Sequence, residues 1–97
     1  MPTKLPTFAV ARTRLQEALR AAGWALSPSL NPQGRPYKVP YADSPSRRVR
    51  VWFKPQALYY TVGLSLTDAG SARSFSSDIR ELDPVRFADK FEAIALS

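Results

Sequence analysis

The stretch that decides the fold is Arg47-Arg-Val-Arg-Val-Trp-Phe-Lys-Pro-Gln-Ala-Leu-Tyr-Tyr-Thr-Val-Gly-Leu-Ser-Leu66. Its first half alternates. Val49, Val51 and Phe53 fall on one face of an extended chain, and Arg48, Arg50, Trp52 and Lys54 on the other. After Pro55 and Gln56 the even positions Leu58, Tyr60, Val62, Leu64 and Leu66 are all apolar, which describes a second half-buried strand. Proline suits the first central position of a turn. With Pro55 and Gln56 as the two central turn residues, Lys54 faces Ala57, Phe53 faces Leu58 and Trp52 faces Tyr59. Side-chain parity then agrees across the pair: Val51, Phe53, Leu58 and Tyr60 point inward, while Arg50, Trp52, Tyr59 and Thr61 share the outer face. A three-residue loop would expose the apolar row. Residues 47–66 are therefore expected to form a β-hairpin.

Upstream, Thr7 is a good N-cap for a helix whose apolar positions Phe8, Ala11, Leu15, Ala18, Leu19 and Ala22 recur in steps of three and four. Gly23 stands where a left-handed C-cap residue is wanted. This predicts a helix over 7–22, with Arg12, Gln16 and Arg20 on its polar side. Residues 24–46 contain Pro28, Pro32, Gly34, Pro36, Pro40 and Pro45. They read as a connector whose segment 37–41 is an edge strand or an irregular arm, since prolines deny the ladder its donors. Downstream, Thr67 to Ser71 is a turn, 72–77 a further strand, and Asp83-Pro84 the start of a second amphipathic helix over 84–96 bearing Phe87, Ala88, Phe91, Ile94 and Ala95. The expected fold is a single α+β domain: a helix, an antiparallel meander of three or four strands, and a C-terminal helix, with both helices packed on one sheet face.

The element order helix, three strands, helix is similar to that of double-stranded-RNA-binding domains. In those domains the second helix opens on lysines, whereas here it opens on Asp83, Pro84, Val85 and Arg86. No RNA contacts are carried over from that likeness.

With 97 residues there is material for one hydrophobic core. The 44% apolar content, with 2 Trp, 4 Tyr and 5 Phe, is too high for a disordered chain. The absence of Cys and His removes disulfides, thiolate zinc sites, cysteine nucleophiles and histidine bases. A metal-dependent nuclease would place an acid two residues before a strand lysine, but the triplet here is Trp52, Phe53 and Lys54, and tryptophan binds no magnesium. Tyr60 is read as inward-facing core rather than as a nucleophile. Asp78, Glu81 and Asp83 cluster at a helix start, where they complement the helix dipole. The chain is thus expected to be non-catalytic, with no metal or other cofactor. No leader or spanning segment is legible, so a soluble, cytoplasmic protein is expected, free of the membrane.

The net charge of +6 is unevenly spread. Residues 1–56 hold ten basic and two acidic side chains, whereas residues 57–97 hold four basic and six acidic ones. The densest basic run lies on the outer face of the hairpin. Arg48, Arg50 and Lys54 surround Trp52 and Tyr59, and Arg47 and Lys38 are expected to join them. Guanidinium groups match phosphate oxygens in pairs, and flat aromatic rings stack on unpaired bases. The expectation is a nucleic-acid-binding face for DNA or RNA, with single-strand binding exploiting both rings and charges. The alternative is a protein-binding face that docks an acidic protein or a second copy as a homodimer; a small phage- or plasmid-encoded adaptor or inhibitor would fit it.

Overall fold

The computed structural model describes residues 5–30, 33–63, 73–74 and 77–96. Helix α1 runs Phe8–Ala21. The sheet follows as β1 (Ala25–Leu30), β2 (Pro36–Asp43), β3 (Val49–Phe53), β4 (Leu58–Val62) and the two-residue β5 (Arg73–Ser74). A 3-10 turn at Ile79–Glu81 leads into α2, Pro84–Leu96. The five strands are antiparallel in the order β1-β2-β3-β4-β5, a plain meander. The turn expected at 67–71, and Leu64 and Leu66 of the hairpin, lie outside the described residues.

Both helices begin where capping chemistry favours it. The Thr7 hydroxyl accepts from the Val10 amide at 3.2 Å. The Asp83 carboxylate accepts from the Val85 amide at 3.1 Å, and Pro84 occupies the first helical position, where no amide donor is needed. Helix α1 ends at Gly23, whose φ of 96° only glycine adopts cheaply. Its amide bonds to the Arg20 carbonyl, and the Trp24 amide to the Leu19 carbonyl, which is the paired closure of a Schellman end.

The hairpin register is the expected one throughout. Phe53 pairs with Leu58, Trp52 with Tyr59, Val51 with Tyr60, Arg50 with Thr61 and Val49 with Val62. Val49, Val51, Phe53 and Leu58 are buried beneath the two helices. Ala11, Leu15 and Leu19 of α1 and Phe87, Ala88, Phe91 and Ala95 of α2 complete one core, to which the 3-10 turn adds Ile79. Phe91 meets Tyr60, Phe87 and Trp24 edge-on, with centroids 4.9, 5.0 and 6.3 Å away. Edge-on ring pairs of this kind contribute about 0.5–1.5 kcal/mol each beyond the area they bury.

The segment 24–46 departs from expectation. Rather than a connector with an edge strand at 37–41, it is a two-stranded hairpin, and β2 lies between β1 and β3. The prolines are accommodated by the register. Pairing of β2 with β3 covers only Tyr41, Ala42 and Asp43, so Pro36 and Pro40 owe no donor to β3. On the other side the β1–β2 ladder shifts between Ser27 and Ser29, where Pro28 stands opposite the run that contains Pro40. The fold is the expected α+β domain with an antiparallel meander between two helices; among the described residues β1 brings the strands to five, counting the two-residue β5, so the likeness to the three-stranded RNA-binding topology lapses. Of the strand expected at 72–77, Arg73–Ser74 pairs with β4, and residues 72, 75 and 76 lie outside the described residues.

Candidate nucleic-acid interface

The outer face of the sheet is built from cross-strand rows. Ser27, Tyr41, Trp52, Tyr59 and Ser74 face one another in sequence across the five strands, and Ala25, Asp43, Arg50 and Thr61 form the adjacent row. Three aromatic rings thus stand side by side in mid-sheet, where the alternation of each strand places them. Tyr41 and Trp52 lie 4.9 Å apart at 52°. The Lys54 ammonium is 4.6 Å from the centre of the Tyr59 ring. All three rings are half-buried, so their positions are set by neighbours while part of each surface meets solvent.

Arg50 sits differently from the other cations. Its Nε donates to Asp43 Oδ1 at 2.6 Å and its Nη2 to Oδ2 at 3.1 Å, a two-pronged pair. Its guanidinium also lies 4.1 Å from the Tyr41 ring centre and 5.6 Å from that of Trp52. The two charged side chains are only 11% and 19% exposed. Arg50 is therefore a strut that holds the aromatic row, with its charge met by Asp43, and it is not an open phosphate contact. Asp43 is the sole carboxylate on the described strands.

The turn between β2 and β3 carries Arg47 and Arg48. The Arg47 amide closes it on the Ser44 carbonyl at 2.9 Å. Buried Ser44 accepts from the Val49 amide, and the Ser46 hydroxyl donates to the Ala95 carbonyl at the end of α2 at 2.9 Å. Arg47 has φ 58°, a left-handed conformation that costs a bulky residue roughly 1–2 kcal/mol. Arg47 is exposed and Arg48 half-buried; neither these two nor Lys54 enters an ion pair among the described residues. A shallow depression beside the turn is lined by Ser27, Tyr41, Asp43, Ser44, Arg47 and Arg50.

Compared with family models, with curated proteins and with solved structures, the chain matches none of them significantly.

Of the residues singled out in the sequence, the structure brings Arg47, Arg48, Arg50, Trp52, Lys54 and Tyr59 to the outer face. Lys38 is not among them. It lines a cleft with Arg12, Thr13 and Gln16 of α1, at the root of the β1–β2 hairpin. Tyr41 and Asp43 are the two members of the site that the sequence reading missed. The signal that could have found them is the alternation of Tyr41, Ala42 and Asp43, but their register with β3 depends on the Ser44–Arg48 turn, which carries no two-residue signature.

No group of three or more Asp and Glu able to hold a metal occurs among the described residues. No described helix is long and apolar enough to cross a membrane. The shifted titrations lie away from the face. The Asp78 carboxyl is held below its ordinary range by the side-chain hydrogen bond from Arg80, reinforced by the Arg80 amide, and Arg80 is raised in turn. Arg80 also lies 4.4 Å from the Phe8 ring centre, joining the 3-10 turn to the start of α1.

Proposed function

We propose that the protein is a small non-catalytic nucleic-acid-binding protein of the cytoplasm whose outer sheet face contacts single strands. One observation carries the reading: the aromatic row Tyr41–Trp52–Tyr59 runs across the strands with cations outside any described ion pair at the turns on either side of it, while Asp43, the only carboxylate on the described strands, is taken up by Arg50. Arg47 and Arg48 at the β2–β3 turn and Lys54 at the β3–β4 turn neutralise phosphates. Trp52 and Tyr59, with Tyr41 beside them, offer planes for bases, each stacked base contributing about 1–3 kcal/mol. Because Arg50 is paired, it orients the rings instead of meeting the backbone.

A protein interface is likewise rich in aromatics and arginine, but its core is depleted of unpaired charge, and here Arg47, Arg48 and Lys54 stand outside any described ion pair around the rings. Among the described residues, the large hydrophobic side chains that are well exposed, Leu5, Val10, Tyr37, Val85 and Leu96, all lie elsewhere. That favours nucleic acid over a second copy or an acidic protein.

Fluorescence anisotropy of a labelled single-stranded oligonucleotide over a salt series tests the proposal. The log of affinity should fall linearly with log salt, with a slope of about 0.7 per phosphate neutralised. Trp52→Ala should weaken binding while the chain stays folded and monomeric. Salt-insensitive self-association that conceals Trp52 from a quencher, lost in Trp52→Ala, would establish the protein-interface reading in its place.

A further inference from the structure

The β1–β2 hairpin continues past the rest of the sheet. Pairing with β3 stops at Tyr41, yet β1 and β2 stay paired through Ser29–Tyr37 to Leu30–Pro36. From Tyr41 to Pro36 this two-stranded ribbon projects by about 17 Å at the usual rise per residue. Residues 33–38 are all exposed, and Tyr37 shows 59% of its surface to solvent. The ribbon carries Arg35 and Lys38 and no acid over 33–38. At its root lies the cleft that Lys38 lines together with Arg12, Thr13 and Gln16 of α1, with no carboxylate in its walls.

A projecting ribbon with a basic cleft at its base differs in shape from the flat sheet face. Two strands spaced about 4.8 Å apart, with side chains, fill a groove of the width of the B-form major groove, about 12 Å. When a ribbon enters that groove, the flanking phosphates come to its root. We propose that the β1–β2 ribbon is a second contact, an arm that enters the major groove of duplex DNA while Arg12 and Lys38 hold the adjoining phosphates. This rests on the nucleic-acid reading of the protein and adds a second surface, a second ligand form and a preference for DNA. The major groove of A-form RNA is too deep and narrow to admit such an arm.

The experiment compares a single strand, a DNA duplex and an RNA duplex of one sequence, for the unaltered protein and for the double variant Arg12→Gln, Lys38→Gln. Circular dichroism and thermal melting verify folding; Lys38→Gln alone, at an exposed side chain, serves if the double variant melts early. The DNA duplex should bind at least about tenfold more tightly than the RNA duplex. The double variant should lose about tenfold or more for the DNA duplex, with a salt slope shallower by about 0.9 per cation removed. Single-strand affinity, which depends on Trp52, should stay within about twofold. Equal binding of the two duplexes, or equal loss for single strand and duplex, would overturn the arm and leave the sheet-face reading standing. Failure of every nucleic acid to bind would overturn both.

Discussion

Asp43 and Arg50 decide how much charge the outer face offers. Removing Arg50 leaves a carboxylate that is 19% exposed without its partner, so Arg50→Gln should cost about 1–3 kcal/mol of stability in urea denaturation. Asp43→Asn works in the opposite sense on function. It releases Arg50 to meet phosphate, and single-strand affinity should rise with a salt slope steeper by up to about 0.7. Arg47 separates the two demands as well. Its φ of 58° suits glycine, and Arg47→Gly should raise stability by about 1 kcal/mol while lowering affinity. A glycine variant that gained stability and lost no affinity would leave Arg47 without a role in binding. Of the face, Arg48, Arg50, Trp52 and Lys54 were legible from the alternation of one strand, and Arg47 only from its place beside them. Asp43 and Tyr41 were not, because cross-strand neighbours are fixed by a register that the six-residue stretch Ser44–Val49 sets through buried Ser44 and left-handed Arg47.

At the level of elements, α2 and the β3–β4 hairpin form the centre of the fold. Phe91 is fully buried against three other rings, and Phe91→Ala should cost about 3–5 kcal/mol, a large part of the 5–15 kcal/mol that a domain typically has. The 3-10 turn adds a pH dependence. The Asp78 carboxyl is depressed in the folded state, so its contribution is present above the ordinary carboxylate range and is lost as the pH falls through the depressed value. Denaturation midpoints should therefore fall below about pH 4, and Asp78→Asn should flatten that part of the profile. The raised Arg80 loses its proton only at extreme alkalinity, so its effect is constant across the working range. Elements with strict periodicity were read correctly, down to the Trp52–Tyr59 pair. Strand β1 escaped because Pro28 and the serines mask any alternation in Ala25–Leu30. The interior place of β2 escaped because its prolines are incompatible with a full ladder but compatible with the half-ladder that forms.

Across the whole molecule, the sheet separates two chemistries. The helices cover one face, where α2 balances Asp89 and Glu92 against Arg86 and Lys90, while the outer face sets Arg47, Arg48, Arg50 and Lys54 against Asp43 alone on the described strands. The chain has two tryptophans, and they divide the same way. Trp24 is 3% exposed in the core, and its indole Nε1 has no hydrogen-bond partner among the described residues. Trp24→Phe consequently forfeits no hydrogen bond, and the smaller buried ring should cost about 1–3 kcal/mol. It leaves Trp52 as the only reporter, in the middle of the proposed face. The most direct test is a fluorescence titration of Trp24→Phe with a single-stranded oligonucleotide at low salt. Saturable quenching of Trp52, reversed by added salt, is the predicted result; emission that stays unchanged while the oligonucleotide binds, or no binding at all, would contradict the stacking face.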